Sequence, residues 1–365
     1  MNITDFLDLR DIGKSLSDLQ TPVPIIDVNV VTGNVMKWQN HCDALGIANR
    51  PHIKTHKIAG LARYQIACGA KGITVQKLGE AEVMAAAGIT DMLLTFNIIG
   101  APKLNRLVPL LKRTDLALVA DNEVMLEGLA WSAQQAGRKL KVLVECDTGA
   151  ARNGVQTPEA AKILATAIAK NQHLIFGGLM TYPAAGERLK SQAFLAEAVE
   201  LCHQSGLEVE TVSSGGSPDM WSTEYLEGVT EYRAGTAVYF DRSLVARGTC
   251  SYKDCALRVL ATVVSCPTEK RAIIDAGTKA LTSDLLGLNG FGIMPELNDA
   301  VIYAANEEHG FVDVEHVAPK PRVGDLVRII PNHVCPVSNL YDEVVFVRGD
   351  TVLGASRVDA RGLVQ

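Results

Sequence analysis

Four short clusters place reactive side chains where a folded core would not keep them without a use. In HIKTH, residues 52–56, His52, Lys54 and His56 alternate, so an extended segment would project all three to one side. A lysine held there is costly unless neutralised, and a Schiff base both neutralises it and exploits a desolvated, nucleophilic amine. The plain alternative is a solvated lysine at a strand end. Lys57 is the rival amine, expected at the exposed start of a helix. In DTGAARNGV, Asp147 and Gly149 read as a strand-to-loop turn that puts Arg152 over the strand ends. Alone, this is a loop with an exposed arginine.

The third cluster is SSGGSP, residues 213–218. Ser214, Gly215, Gly216 and Ser217 offer backbone N–H groups and hydroxyls of the kind that wrap a phosphate dianion, although a glycine pair by itself is usually a turn. RAGTAVY adds a second small-residue corner at Gly235 and Thr236, with Tyr239 close in sequence. The fourth cluster is NHVCP. His333 and Cys335 at i, i+2 on a strand would share one face, a two-ligand platform for a borderline-soft ion such as zinc. Two protein ligands leave the other positions open to water and substrate, as catalytic metals require. An isolated HxC is otherwise a coincidence.

The elements that must carry these clusters fall into two textures. From about 50 to 240, β-branched runs at 51–55, 72–76, 91–96, 115–120, 141–147, 174–181, 209–214 and 231–236 alternate with helical stretches. The helices are expected over 57–68, 78–87, 102–113, 122–136, 157–170, 187–205 and, more weakly, 219–228. Eight βα repeats predict a (β/α)8 barrel, with an open doubly wound sheet as the competitor. Beyond about 245 the runs are strand-like with little helix between them, which predicts a C-terminal all-β domain. The expected division is therefore a barrel over 20–245 and a β domain over 246–365, after a helical extension over 1–19. The run VPIIDVNVV, 23–31, would open the barrel or pair with the β domain.

Composition narrows the function classes. The chain is 47% hydrophobic with a net charge of −6 and no basic run of the kind that tracks a phosphate backbone, so a small-molecule substrate is expected rather than nucleic acid. No apolar run approaches the length of a membrane span, and the start carries acidic residues where a signal peptide is basic then apolar. A cytoplasmic protein is expected. Eight scattered cysteines without a CxxC pair predict buried thiols rather than a disulfide framework.

Taken in order, RPHIKTHK, QKLGEAE, DTGAARNGV, SSGGSP, RAGTAVYFD, IIDAGTKALTSD, EEHG and HxCP cover nearly the whole chain from about Thr21. This series resembles the fold-type III, alanine racemase-like pyridoxal phosphate enzymes, and within them the D-threonine aldolase and D-serine dehydratase family. The resemblance implies that Lys54 carries the cofactor and ends the first barrel strand, with VPIIDVNVV leading into the barrel. It further implies Arg152 near the cofactor phenolate oxygen, Tyr182 near the pyridine nitrogen and Gln76 beside the ring. Ser214, Gly215, Gly216, Ser217, Gly235 and Thr236 would form the phosphate cup. His333 and Cys335 would bind a divalent metal (zinc, manganese or magnesium), and His309 of EEHG would approach the same pocket as a second catalytic residue. One departure is TYPAAGE, where many relatives follow the tyrosine with Gly-His.

The activity so implied is that of a metal-dependent lyase acting on a D-β-hydroxy-amino acid, as a homodimer. Deprotonation of the β-hydroxyl breaks Cα–Cβ and releases glycine and an aldehyde; loss of the α-proton and hydroxide instead gives an α-keto acid and ammonia. In the family HxD accompanies aldolases and HxC D-serine-type dehydratases, while the overall texture and the TYPAAGE loop resemble the low-specificity D-threonine aldolase branch, the reading preferred. A non-catalytic cofactor-binding protein would have no need of the metal pair, and a racemase would need a second base that the sequence does not reveal.

Overall fold

The computed structural model describes residues 1–222 and 227–365, so part of the weak helix expected over 219–228 lies outside the described residues. By compactness the chain divides into two units that exchange segments. One, the sheet unit, comprises Met1–Lys37, Thr55–Tyr64 and Thr236–Gly362; the other, the barrel unit, comprises Trp38–Lys54, Gln65–Gly235 and Leu363–Gln365.

Strand β1 (Val23–Asp27) belongs to the sheet unit, and helix α1 (Val28–Leu45) follows it directly. The amide of Asn29 donates to Asp27 Oδ1 at 2.8 Å, which starts the helix inside the expected strand run 23–31 despite its valines. The barrel strands are β2 (Ala48–Asn49), β3 (Ile73–Val75), β4 (Asp91–Leu94), β5 (Asp115–Ala120), β6 (Leu140–Cys146), β7 (Leu174–Thr181), β8 (Thr211–Ser214) and β9 (Glu231–Tyr232). All are parallel, in the order β2-β9-β8-β7-β6-β5-β4-β3. A bridge between His52 and Thr74, with Thr74 N donating to Pro51 O at 2.8 Å, joins the two ends and closes the ring of eight. Between the strands run α2 (Ala59–Ala67), α3 (Leu78–Ala86), α4 (Ala101–Arg113), α5 (Glu123–Ala136), α6 (Pro158–Lys170) and α7 (Arg188–Gln204), close to the expected spans. Local chemistry sets their ends: Asn122 caps α5 on Met125 N, Gly137 ends it at φ 71°, and Thr157 caps α6 ahead of Pro158.

Leu93, Val119, Leu143 and Met180, from four successive strands, form one buried cluster in this unit. Toward the strand starts, buried Arg50 pairs with Glu231 at 2.6 Å and with Asp91 at 2.6 Å. Removing one partner would leave a buried charge uncompensated.

One expectation is corrected at the first barrel strand. β2 stops at Asn49 and Ile53–Thr55 is a 3-10 turn, so His52, Lys54 and His56 do not alternate along a strand. Side chains capture the local amides instead: His52 Nδ1 accepts from Lys54 N at 3.4 Å, and His56 Nδ1 from Ile58 N at 3.0 Å.

In the sheet unit β1 is joined by β10 (Leu257–Thr268), β11 (Arg271–Ile274), β12 (Gly292–Met294), β13 (Ala300–Ala305), β14 (Gly310–Asp313), β15 (Leu326–Pro331), β16 (Glu343–Arg348) and β17 (Thr351–Arg357), with short helices α8 (Arg242–Ala246), α9 (Thr278–Leu281) and α10 (Val334–Leu340). The order is β11-β14-β13-β12-β15-β10-β1-β16-β17, and a further β10–β11 pairing closes six of these strands on themselves. Among the described residues, β1–β16 is the one parallel pairing in this sheet. Thus VPIID pairs with the β domain, between β10 and β16, rather than opening the barrel. The helical extension expected over 1–19 is also corrected. It holds two 3-10 turns, Ile3–Phe6 and Leu16–Asp18, and bridges to β17 at Arg10–Ala355 and Ser15–Thr351, so sheet-edge hydrogen bonds replace a helix. No helix among the described residues is long and apolar enough to cross a membrane. All eight cysteines are free.

Candidate active site

In the barrel unit the polar residues singled out from sequence follow the strand ends, where parallel barrels carry chemistry. Lys54 sits half-buried on the turn after β2. Gln76, just after β3, meets His52 Nε2 with its Oε1 at 3.0 Å and donates to Thr95 O at 2.9 Å. Arg152, in the loop after β6, lies over the ring of Tyr182, just after β7, with its central carbon 5.2 Å from the centroid.

Ser214 ends β8, and Gly215 takes φ +92°, a left-handed backbone that suits glycine. A Cβ on Gly215 would run into the Tyr232 ring, and one on Gly216 would stand 2.8 Å from Tyr182 Cε2. Tyr232 Oη donates to Gly216 O at 2.9 Å, which fixes this bend, and buried Ser217 opens the short turn that follows. Gly235 is buried just after β9. The structure therefore brings Arg152, Tyr182 and the Ser214–Ser217 bend together in the barrel unit. Thr236, the next residue, falls in the sheet unit.

Sequence reasoning missed Glu145, Arg233 and the residues that peg the Arg152 loop. Glu145, near the end of β6, is 2% exposed and accepts from Asn153 Nδ2 at 2.7 Å. Burial pushes its carboxyl up to about 7, against the pull of Arg152. Asn153 also donates to Asn97 Oδ1 at 3.2 Å, and Asp121 Oδ2 accepts from Gly154 N at 3.0 Å, so the two residues after Arg152 are pegged from two neighbouring strands. Buried Arg233 donates to Ser213 Oγ and Thr181 O, each at 2.6 Å, and burial lowers it to about 10 against the pull of Glu231 and Glu145. Burial, then the charge of Lys54, hold His52 well below the usual imidazole range, which keeps this ring neutral. The available signal was a carboxylate and an arginine in otherwise apolar strand ends, VECD and EYRAG.

The metal-type pair lies in the sheet unit. The strand expected to carry it ends at Pro331; His333 is instead the N-cap of α10 and Cys335 lies in its first turn, because the Val334 amide is taken by Asp241 Oδ2 at 3.2 Å rather than by a ladder partner. The two side chains still act on each other. His333 Nδ1 stands 2.7 Å from Asp284 Oδ2, while Cys335 Sγ is 3.3 Å from Thr55 Oγ1 and 3.8 Å from Thr236 Oγ1. Burial works against a charged His333, but the Cys335 and Asp284 partners outweigh it and raise the ring to about 9. Converging imidazole nitrogen and thiol sulfur make a donor set suited to zinc-like ions. No group of three or more metal-ligating side chains occurs among the described residues. His309 lies exposed at the β13–β14 turn, its amide on Asn306 Oδ1 at 2.8 Å, and makes no hydrogen bond to the pair among the described residues.

A closed (β/α)8 barrel with a lysine on its first strand-end turn and a glycine bend late in the ring, in one chain with an antiparallel β unit, defines the alanine racemase-like class of pyridoxal phosphate enzymes. Residues 26–243 match the family described as alanine racemase, N-terminal domain, and residues 256–347 that described as putative serine dehydratase domain. The chain is 33% identical to a D-threonine aldolase of Arthrobacter sp over 96% of its own length and 95% of the relative's. It is also 33% identical to the D-threo-3-hydroxyaspartate dehydratase of Delftia sp. (strain HT23), over 88% and 92%. Among solved structures, D-threonine aldolase from Filomicrobium marinum superposes with a TM-score of 0.90 at 30% identity, covering 98% of this chain and 100% of that one. The chain belongs to the D-threonine aldolase and D-serine dehydratase family of fold-type III pyridoxal phosphate lyases.

Proposed function

We propose that this protein is a pyridoxal phosphate- and metal-dependent lyase that cleaves D-threonine and related D-β-hydroxy-amino acids to glycine and an aldehyde. The observation that carries the reading is the Gly215–Gly216 bend, where a Cβ would strike the Tyr232 and Tyr182 rings and only glycine leaves the backbone N–H groups approachable, in a chain 33% identical over 96% of its length to a D-threonine aldolase. Pyridoxal phosphate, when bound, supplies an electron sink at the substrate Cα. Lys54 is assigned its attachment, Arg152, Tyr182 and Gln76 its ring, and Ser214, Gly215, Gly216, Ser217, Gly235 and Thr236 its phosphate. His333 and Cys335 are assigned a divalent ion of the kind that makes a hydroxyl more acidic. A solved variant of a D-threo-3-hydroxyaspartate dehydratase is in its metal-free form, which supports a metal in the family. His309 is kept as a second catalytic candidate. We keep 20–245 and 246–365 as the division of labour between cofactor and metal, and read the protein as a cytoplasmic homodimer, in keeping with its free thiols and the frequency of two-fold oligomers.

The second reading is dehydration to an α-keto acid and ammonia, favoured by the thiol of Cys335 as ligand and by the Delftia relative. Incubation of the metal-loaded holoenzyme with D-threonine separates the two. Glycine and acetaldehyde support the aldolase; 2-oxobutanoate and ammonia support the dehydratase, and turnover of L-threonine alone overturns both.

A further inference from the structure

We propose that Asp284 is the positioning residue of the metal pair, holding the His333 ring with its proton on Nδ1 so that Nε2 would be the lone-pair donor to a divalent ion. The inference rests on the reading of His333 and Cys335 as ligands and adds a residue to it.

As a metal ligand the His333 imidazole has given up one proton to make room for the ion, leaving one N–H and one lone-pair nitrogen, and which is which follows from the partner each nitrogen meets. A carboxylate oxygen accepts the hydrogen of a ring nitrogen. With Asp284 Oδ2 2.7 Å from Nδ1, that nitrogen carries the hydrogen and Nε2 is left as the donor to metal. Carboxylate–imidazole–metal relays of this kind orient the ligand and make it more basic.

The surroundings show that this contact is built. Asp284 lies in the segment between α9 and β12, its amide on Thr282 Oγ1 at 3.2 Å. Asn332, the residue before His333, is 1% exposed and donates from Nδ2 to Gly290 O at 2.8 Å and to Leu285 O at 3.4 Å, which ties the histidine's own backbone to that same segment. Arg242 Nη1 donates both to Asn289 O at 2.8 Å and to Asn332 Oδ1 at 3.1 Å, and Ser243 N donates to Asn332 O at 3.2 Å. Asp241 then holds Val334 N on the other side of His333. The backbone of His333 is thus fixed before and after, and Asp284 fixes the remaining freedom, the ring.

The test is zinc affinity of chelator-stripped, cofactor-loaded protein, read by competition with a chromophoric chelator. Because Asp284 is 45% exposed at its side chain, Asp284→Ala is expected to fold, with unchanged Tm and cofactor absorbance. It should weaken zinc binding by about 10- to 100-fold. Asp284→Asn, which can still accept from Nδ1–H, should recover part of that loss, a rescue that a merely structural role would not produce. Wild-type affinity in Asp284→Ala, alongside lost affinity in His333→Ala, overturns the role of Asp284 and leaves the pair standing. Unchanged affinity in His333→Ala and Cys335→Ala overturns the pair, and the inference with it.

Discussion

Arg152 and Tyr182 come from loops after adjacent strands, and the guanidinium carbon stands 5.2 Å from the tyrosine centroid, so each orients the other at the barrel mouth. Such a contact is worth about 0.5–1 kcal/mol where exposed. Tyr182→Ala is therefore expected to weaken cofactor affinity by roughly 2- to 5-fold through Arg152, and Tyr182→Phe, which keeps the ring, by less. Titration of the stripped protein with pyridoxal phosphate checks this; equal loss in both variants would assign the effect to the hydroxyl.

Glu145 makes stability depend on pH in a definite direction. Its carboxyl is raised from 4.5 to about 7 in the folded protein, chiefly by burial, so the folded state keeps a proton that the unfolded chain releases. Its contribution is full below about 4.5 and is lost as pH rises through about 7. The size is at most on the order of 3 kcal/mol. Tm of wild type should fall between pH 5 and pH 7.5 relative to Glu145→Gln, which carries no such charge; parallel Tm profiles would contradict the assignment.

Gly215 is constrained by both its backbone and its neighbour, with φ +92° and the Tyr232 ring where a Cβ would go. Gly215→Ala should cost roughly 1–3 kcal/mol in strain and weaken cofactor binding about 10-fold or more at the displaced bend. Thermal melting and cofactor titration read the two effects. Wild-type cofactor affinity in this variant would remove the bend from the phosphate site.

The strand and helix pattern of the barrel is legible in sequence because each βα repeat is local, with capping residues such as Asn122 and Thr157 at the helix starts. Conformation inside the motifs is not. The alternation of His52, Lys54 and His56 marks the right segment but implies a strand, whereas histidine nitrogens bonded to nearby amides make it a turn. HxC likewise marks a pair but implies a strand face, and the Asp241 contact to Val334 that starts a helix there spans 93 residues. Asp284 and Glu145 stayed hidden for the same reason. Asp284 meets a histidine 49 residues away, and Asn153, the partner of Glu145, reaches back 56 residues to Asn97. Periodicity reports which face a residue occupies, not which distant loop folds onto it.

The metal is expected to serve turnover and not the fold. Two protein ligands at the start of α10 are too few to staple a domain. Exhaustive chelation should leave Tm and the yellow colour unchanged while stopping product formation, and Cys335→Asp should shift preference from zinc toward manganese or magnesium. Full activity in chelated enzyme would return NHVCP to a helix start with a cysteine.

Lys54 as the point of cofactor attachment is the claim on which the rest depends, and it has a rival in Lys57, whose Nζ donates to Asn339 Oδ1 at 2.9 Å. Borohydride reduction of the yellow holoenzyme followed by peptide mapping decides between them. The account predicts the reduced cofactor on Lys54 alone, a colourless, inactive Lys54→Ala and a yellow Lys57→Ala. Label on Lys57, or colour retained in Lys54→Ala, would contradict it.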